Sequence, residues 1–167
     1  MKYLRKLLIV TFVILTVVAC GDDEDPDKEK PIIDISIEDA FPTNCDTIYF
    51  GETFELKLLF TDNEELGSFS IDIHNNFDHH SHSTEVTECN PGANKEPINP
   101  FAFIESFSIP DGLTIYETNQ LITIPAGNND GLYDDGDYHF FIRVTDKAGW
   151  STYKGLSIKM FHKQTAQ

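Results

Sequence analysis

Four of the chain's six histidines fall within nine residues, in the run His74-Asn-Asn-Phe-Asp78-His79-His80-Ser-His82. Imidazole is the side chain most used to bind transition metals near neutral pH, and Asp78 adds an oxygen ligand within the same run. An imidazole must be neutral to coordinate, so a site of this kind weakens as pH falls through about 6. No nucleophile motif, phosphate-cradling glycine loop or paired-cysteine zinc signature occurs in the sequence. The chain therefore reads as a metal-binding or other recognition module and not as an enzyme.

The elements that must position these residues are strands. Helical periodicity is nearly absent. Short alternating runs rich in β-branched and aromatic residues recur at 32–37, 53–60, 68–73, 101–109, 120–124, 138–145 and 155–161, with Pro42, Pro110, Pro125, Gly127 and Gly136 between them. Seven such runs predict an all-β fold, an antiparallel sandwich resembling the immunoglobulin-like folds. In the third run Phe69, Ile71 and Ile73 belong inside, leaving Ser70, Asp72 and His74 outside. In the sixth, Tyr138, Phe140, Ile142 and Val144 share one face, while His139, Phe141 and Arg143 take the other.

In an immunoglobulin-like sandwich the third and sixth strands are antiparallel neighbours, so His74 should meet His139, both facing outward. Past Asn75-Asn76 the chain turns, and Phe77 is expected to pin the loop to the sheet. His80 and His82, two apart, share a side of an extended stretch, whereas His79 points away. The candidate ligand set is therefore His74, Asp78, His79, His80, His82 and His139, with Asp72 as ligand or outer support. His162, near the end of the last run, is a weaker candidate. A nitrogen-rich set of this kind suits zinc first and copper next, ahead of calcium or magnesium. The competing reading is a polar surface loop beside a satisfied edge histidine.

A second cation candidate is the stretch Asn128-Asn129-Asp130 through Asp134-Asp135-Gly136-Asp137. Its spacing does not fit the helix-loop-helix calcium pattern, and an acidic turn is the favoured identity over a calcium loop. Asp62-Asn63-Glu64-Glu65 is read likewise, as a loop between strands. Asp146 with Gly149 makes a turn before Trp150, which is expected to cap the core, with ligand stacking as the alternative.

Residues 1–20 bear on the compartment. Lys2, Arg5 and Lys6 precede an apolar run from Leu7 to Val18 that is too short for a stable membrane span. The run ends in Val17-Val18-Ala19-Cys20 and resembles a bacterial lipoprotein signal, which implies cleavage after residue 19 and acylation of Cys20. Acyl chains anchor durably, at about 0.8 kcal/mol per buried methylene. Residues 20–30 form an acidic tether expected to stay disordered, and residues 31–163 form the sandwich domain. The acidic tract after Cys20 resembles the export signal of Bacteroidota lipoproteins displayed on the outer membrane; a solvated spacer is the alternative.

Removing residues 1–19 takes away three of 12 basic residues and none of 28 acidic ones, so the formal charge moves from −16 to −19. Such a surface repels nucleic acid and draws cations; no nucleic-acid partner is expected. With Cys20 acylated, Cys45 and Cys89 remain. In an oxidising envelope they read as a disulfide worth roughly 4 kcal/mol at most, the alternative being two soft metal ligands.

The run Asp72-Ile-His74 through His82, Cys89, Pro100-Phe-Ala-Phe-Ile104, and Gly136-Asp-Tyr-His-Phe140 through Gly149-Trp150 together resemble an uncharacterised family of Bacteroidota lipoproteins. That family carries one immunoglobulin-like domain of unknown function. The resemblance implies an envelope lipoprotein, with a TonB-dependent outer-membrane transporter as a candidate partner, and it implies no catalytic residues. The leading expectation is a lipid-anchored zinc or copper protein for capture, delivery or sequestration. The alternative is a glycan-binding, adhesion or transporter-accessory module, using aromatics such as Tyr49, Tyr116, Tyr133 and Phe141. A metallohydrolase with Asp78 or Glu85 as general base comes third.

Overall fold

A computed structural model describes residues 27–81 and 89–164. The expectations for the signal segment, Cys20, His82 and Glu85 fall outside these residues. Among the described residues the secondary structure is all strand: β1 (Ile32–Asp34), β2 (Thr47–Tyr49), β3 (Thr53–Leu56), β4 (Leu59–Thr61), β5 (Leu66–Asn75), β6 (Phe103–Ser108), β7 (Ile115–Glu117), β8 (Gln120–Thr123), β9 (Gly127–Asn128), β10 (Gly131–Leu132), β11 (Gly136–Asp146) and β12 (Ser151–Phe161). One layer is a five-stranded sheet in the order β2-β12-β11-β5-β6; the other is built from β1-β4-β7 and β3-β8. All pairs are antiparallel except β12 with β2.

Alternation explains the layers. Tyr138, Phe140, Ile142 and Val144 of β11 are buried, as are Phe69, Ile71 and Ile73 of β5 and Leu156, Ile158 and Met160 of β12. They face Leu56, Leu58, Phe60, Ile122 and Ile124 from the second layer in one continuous core. Edge-on Phe54–Phe140 and tilted Phe60–Phe69 ring pairs, with centroids 6.4 and 5.2 Å apart, bridge the layers directly. Each such side chain contributes about 1.5–3 kcal/mol on burial.

The expected strand at 53–60 is two strands. At Lys57-Leu58 the chain leaves β8 as partner and takes up β7 and β1. Thr118, fully buried, fills the break: its hydroxyl accepts from the Leu58 N–H at 2.9 Å and donates to the Leu56 carbonyl at 2.8 Å. The expected strand at 32–37 shortens to three residues, whereas 68–73, 138–145 and 155–161 lengthen into the long central strands.

β5 and β11 pair over nearly their whole length, with a bulge where Asp146 opposes Leu66. Gly67 sits at that bulge, where a Cβ would lie 2.9 Å from the Asp146 carbonyl oxygen, so a side chain there would collide with backbone. Trp150 does not cap the core. It is 41% exposed, and its indole N–H donates to the Asp27 carbonyl at 2.9 Å. Asp27 in turn accepts from the Asn63 amide at 3.0 Å, so this part of the expected disordered tether is held against the sandwich.

Candidate metal centre

His74 is the penultimate residue of β5 and His139 lies near the start of β11; they are direct partners across the strand pair. Opposed residues of an antiparallel pair share a face, which sets the two rings side by side on the outer face of the large sheet. Their centroids are 5.4 Å apart. The chain then turns back, with the His79 N–H donating to the Asn76 carbonyl, and brings His80 over the pair. The His80 ring lies 4.9 Å from His139 and stacks at 6.0 Å on His74, the planes 7° from parallel. One ligand atom from each of His74, His80 and His139 lies within 4.8 Å of the other two.

His139 was expected to face solvent, and it does lie on the outer face. The returning loop covers it completely, however, and its exposure is 0%. Its Nε2 sits 3.2 Å from the His80 carbonyl. A carbonyl only accepts, so in the neutral ring Nε2 carries the proton and Nδ1 keeps the lone pair. The same logic applies to the other two rings. His74 Nδ1 lies 2.9 Å from Asp72 Oδ1, and His80 Nδ1 lies 2.5 Å from Asp78 Oδ1. Each carboxylate takes an Nδ1 proton and leaves Nε2 to coordinate, as outer carboxylates do around zinc-binding histidines. Asp72 and Asp78 are therefore placed to orient ligands rather than to be ligands. The hydrogen bond from His80 holds the Asp78 carboxyl below the usual carboxylate range.

The remaining candidates lie elsewhere. His79 takes a left-handed backbone (φ 55°) at the turn, and its Nε2 meets Asp137 Oδ2 at 3.2 Å instead of joining the group. His162 packs against Phe50, with its two ring nitrogens against Asp135 Oδ1 and the Ala126 carbonyl. Carboxylates of the 128–137 stretch serve the fold: Asp134 accepts from the Ile98 and Asn99 N–H groups, and Asp135 from the His162 N–H. Of the aromatics considered for sugar stacking, Tyr116 and Tyr133 pack on the core, and Tyr49 lies on the edge strand β2, two strands away from Phe141 on the central β11.

The histidine loop is fastened at several points. Phe77 is buried and meets Tyr138 edge-on at 5.3 Å. Asp137 accepts from the Gly92 N–H at 2.7 Å and pairs with Lys159 as well as His79. Burial pushes its carboxyl up, but the Lys159, Gly92 and His79 bonds outweigh that and hold it below its ordinary value. Cys45 and Cys89 are joined in a disulfide, which removes the alternative of two thiol ligands. The Cys45 N–H donates to the Ser157 carbonyl at 2.8 Å, and Ser157 is the cross-strand partner of His139. The bridge thus fixes the chain beyond the loop one strand away from the buried imidazole.

Residues 18–161 match the family described as Domain of unknown function (DUF4625). The chain belongs to this family. The match takes in every strand from β1 to β12, so the DUF4625 unit here is the sandwich with its histidine group. No curated protein matches the chain. The DUF4625 description names no activity, and the function of this member has to come from the site itself. Sequence reasoning overlooked one further group: Asp27, Asp62 and Asp146, which also bring ligand atoms within 4.8 Å of one another. Its members come from three separate segments, and the visible signal was only that Asp27 precedes the first strand, Asp62 follows a strand and Asp146 ends one.

Proposed function

We propose that this DUF4625 protein is a lipid-anchored envelope protein that binds zinc, or in second place copper, and captures, delivers or sequesters it. The observation that carries the reading is the gathering of His74, His80 and His139, two of them oriented by carboxylates. Zinc–nitrogen bonds of about 2.0–2.1 Å put tetrahedral ligand atoms about 3.3 Å apart. Closing from the 4.8 Å limit is a movement of at most about 1.5 Å, which His80 on its loop can supply. His82 is the candidate for a fourth position. The anchor at Cys20, the outer-membrane location and a TonB-dependent transporter as recipient rest on the signal-like segment and the acidic tract. Calorimetric titration with zinc at pH 7.5 tests the reading. One ion should bind per chain, and His74→Ala and His80→Ala should each weaken binding by more than about 100-fold, since loss of even an outer partner costs 10–100-fold. Unchanged affinity in both variants refutes it.

A second reading, a glycan or other ligand module, is favoured by one feature. An open groove of about 340 Å³ runs beside the histidines, lined by Asp72, His74, Ile104, Phe141, Arg143 and Tyr153. Tight glycan binding that persists in chelator would select this reading over the metal.

A further inference from the structure

At the other end of β11 the sandwich carries an oxygen-only counterpart of the histidine group. Asp62 follows β4, Asp146 ends β11 and Asp27 precedes β1; one carboxylate oxygen of each lies within 4.8 Å of the other two. None of the three forms an ion pair with Lys or Arg among the described residues. Lys147, next to Asp146 in sequence, reaches Asp111 and Glu65 instead.

Hydrogen bonds use only part of this oxygen. Asp146 Oδ1 accepts from the Gly149 and Trp150 N–H groups at 2.6 and 2.8 Å, closing the β11–β12 hairpin. Asp62 Oδ2 accepts from the Glu64 and Glu65 N–H groups at 3.0 and 2.9 Å. Asp27 Oδ1 accepts from Glu29 and Asn63. The second oxygens of Asp146 and Asp62 are buried and have no donor among the described residues. Asp146 as a whole is 96% buried, its exposure being 4%. A buried carboxylate oxygen without a donor is costly, and three carboxylates in mutual reach repel one another. A cation removes both problems at once.

We infer that Asp27, Asp62 and Asp146 form a calcium site that ties the segment before β1 to the β4–β5 loop and the β11–β12 hairpin. Calcium takes oxygen ligands at about 2.3–2.6 Å, so two on opposite sides of one ion stand about 4.8 Å apart. The three oxygens lie within that limit of one another, and a ligand set made only of carboxylates, with no nitrogen, selects a hard ion over zinc or copper. Partial exposure of Asp27 and Asp62 leaves room for the waters calcium commonly keeps. The net charge of −16 raises the local concentration of divalent cations. In this arrangement calcium holds the junction between tether and domain, which sets how the sandwich stands off from whatever its N-terminal segment is attached to.

The chain's single tryptophan reports on the site, because Trp150 donates to the Asp27 carbonyl and follows Asp146 in the hairpin. Chelator-stripped protein is titrated with calcium, following Trp150 fluorescence and the melting temperature, and with terbium, following luminescence sensitised by the indole. A saturable one-to-one change in fluorescence and a rise in melting temperature are expected, with magnesium a weaker competitor. Asp62→Asn and Asp146→Asn keep the acceptors that bond the backbone, and each should weaken calcium at least about 10-fold through loss of ligand charge. Asp27→Asn, outside the sandwich layers, gives the same loss without any burden on folding. His139→Phe should leave the calcium response intact, which separates this site from the histidines. No calcium-dependent change up to 10 mM in the unaltered protein overturns the inference, as does an unaltered response in all three aspartate variants.

Discussion

Replacing His139 with phenylalanine separates the metal from the fold. The ring is fully buried between His74, His80 and Phe141, with centroids 5.4, 4.9 and 5.6 Å away. Phenylalanine keeps that aromatic contact and deletes both nitrogens. In metal-free protein the loss includes the hydrogen bond to the His80 carbonyl, about 1 kcal/mol. With free zinc at 100 times the dissociation constant, binding to the native state stabilises the unaltered protein by about 2.7 kcal/mol. At roughly 4 °C per kcal/mol for a domain of this size, its melting temperature should rise by about 11 °C. If losing one of three imidazoles weakens zinc about 100-fold, the same zinc concentration only equals the variant's dissociation constant. The stabilisation then falls to about 0.4 kcal/mol and the rise to about 2 °C. Differential scanning fluorimetry with and without zinc measures both, and near-UV circular dichroism verifies that the variant is folded. A variant that keeps the full zinc-induced rise refutes the assignment of His139 as a ligand, and so does an unaltered protein that shows no rise.

The fastenings of the loop make two more predictions. Replacing Cys45 and Cys89 together with serine should lower stability by up to roughly 4 kcal/mol in urea denaturation, because a 44-residue separation is released in the unfolded chain. Zinc affinity should fall with it, since the bridge fixes the return of the histidine loop beside Ser157. Asp137 has its carboxyl held low in the folded state, so its contribution is fully present above the ordinary value of 3.8 and is lost as pH falls below that through the folded value. Asp137→Asn should therefore destabilise the protein at neutral pH and flatten the decline in stability as pH falls below the ordinary value of 3.8, as read by chemical denaturation at a series of pH values. An identical acid profile in the variant would show that other carboxyls set the decline.

How far the chain could be read in advance differs from element to element. The all-β class and the three long central strands are legible because period-two alternation directly records which residues face a core; Phe69-Ile71-Ile73 and Tyr138 through Val144 bury as written. The pairing of His74 with His139 was legible only through an assumed topology, but once β5 and β11 are neighbours their register leaves little freedom, since a one-residue slip would turn Tyr138 and Phe140 outward. The Cys45–Cys89 bridge was legible once Cys20 was set aside as the expected acylation site, which leaves one pair of cysteines.

What local sequence could not contain is how segments fold over one another. The burial of His139 depends on the loop returning across the sheet, and the exclusion of His79 depends on a left-handed turn residue and on Asp137 lying beyond it. The break at Lys57-Leu58 depends on a threonine hydroxyl 60 positions away. The gathering of Asp27, Asp62 and Asp146 joins three segments, each of which reads alone as a tether, a loop or a turn. Periodicity along a chain encodes which way a side chain faces; only packing between distant segments decides what it then meets.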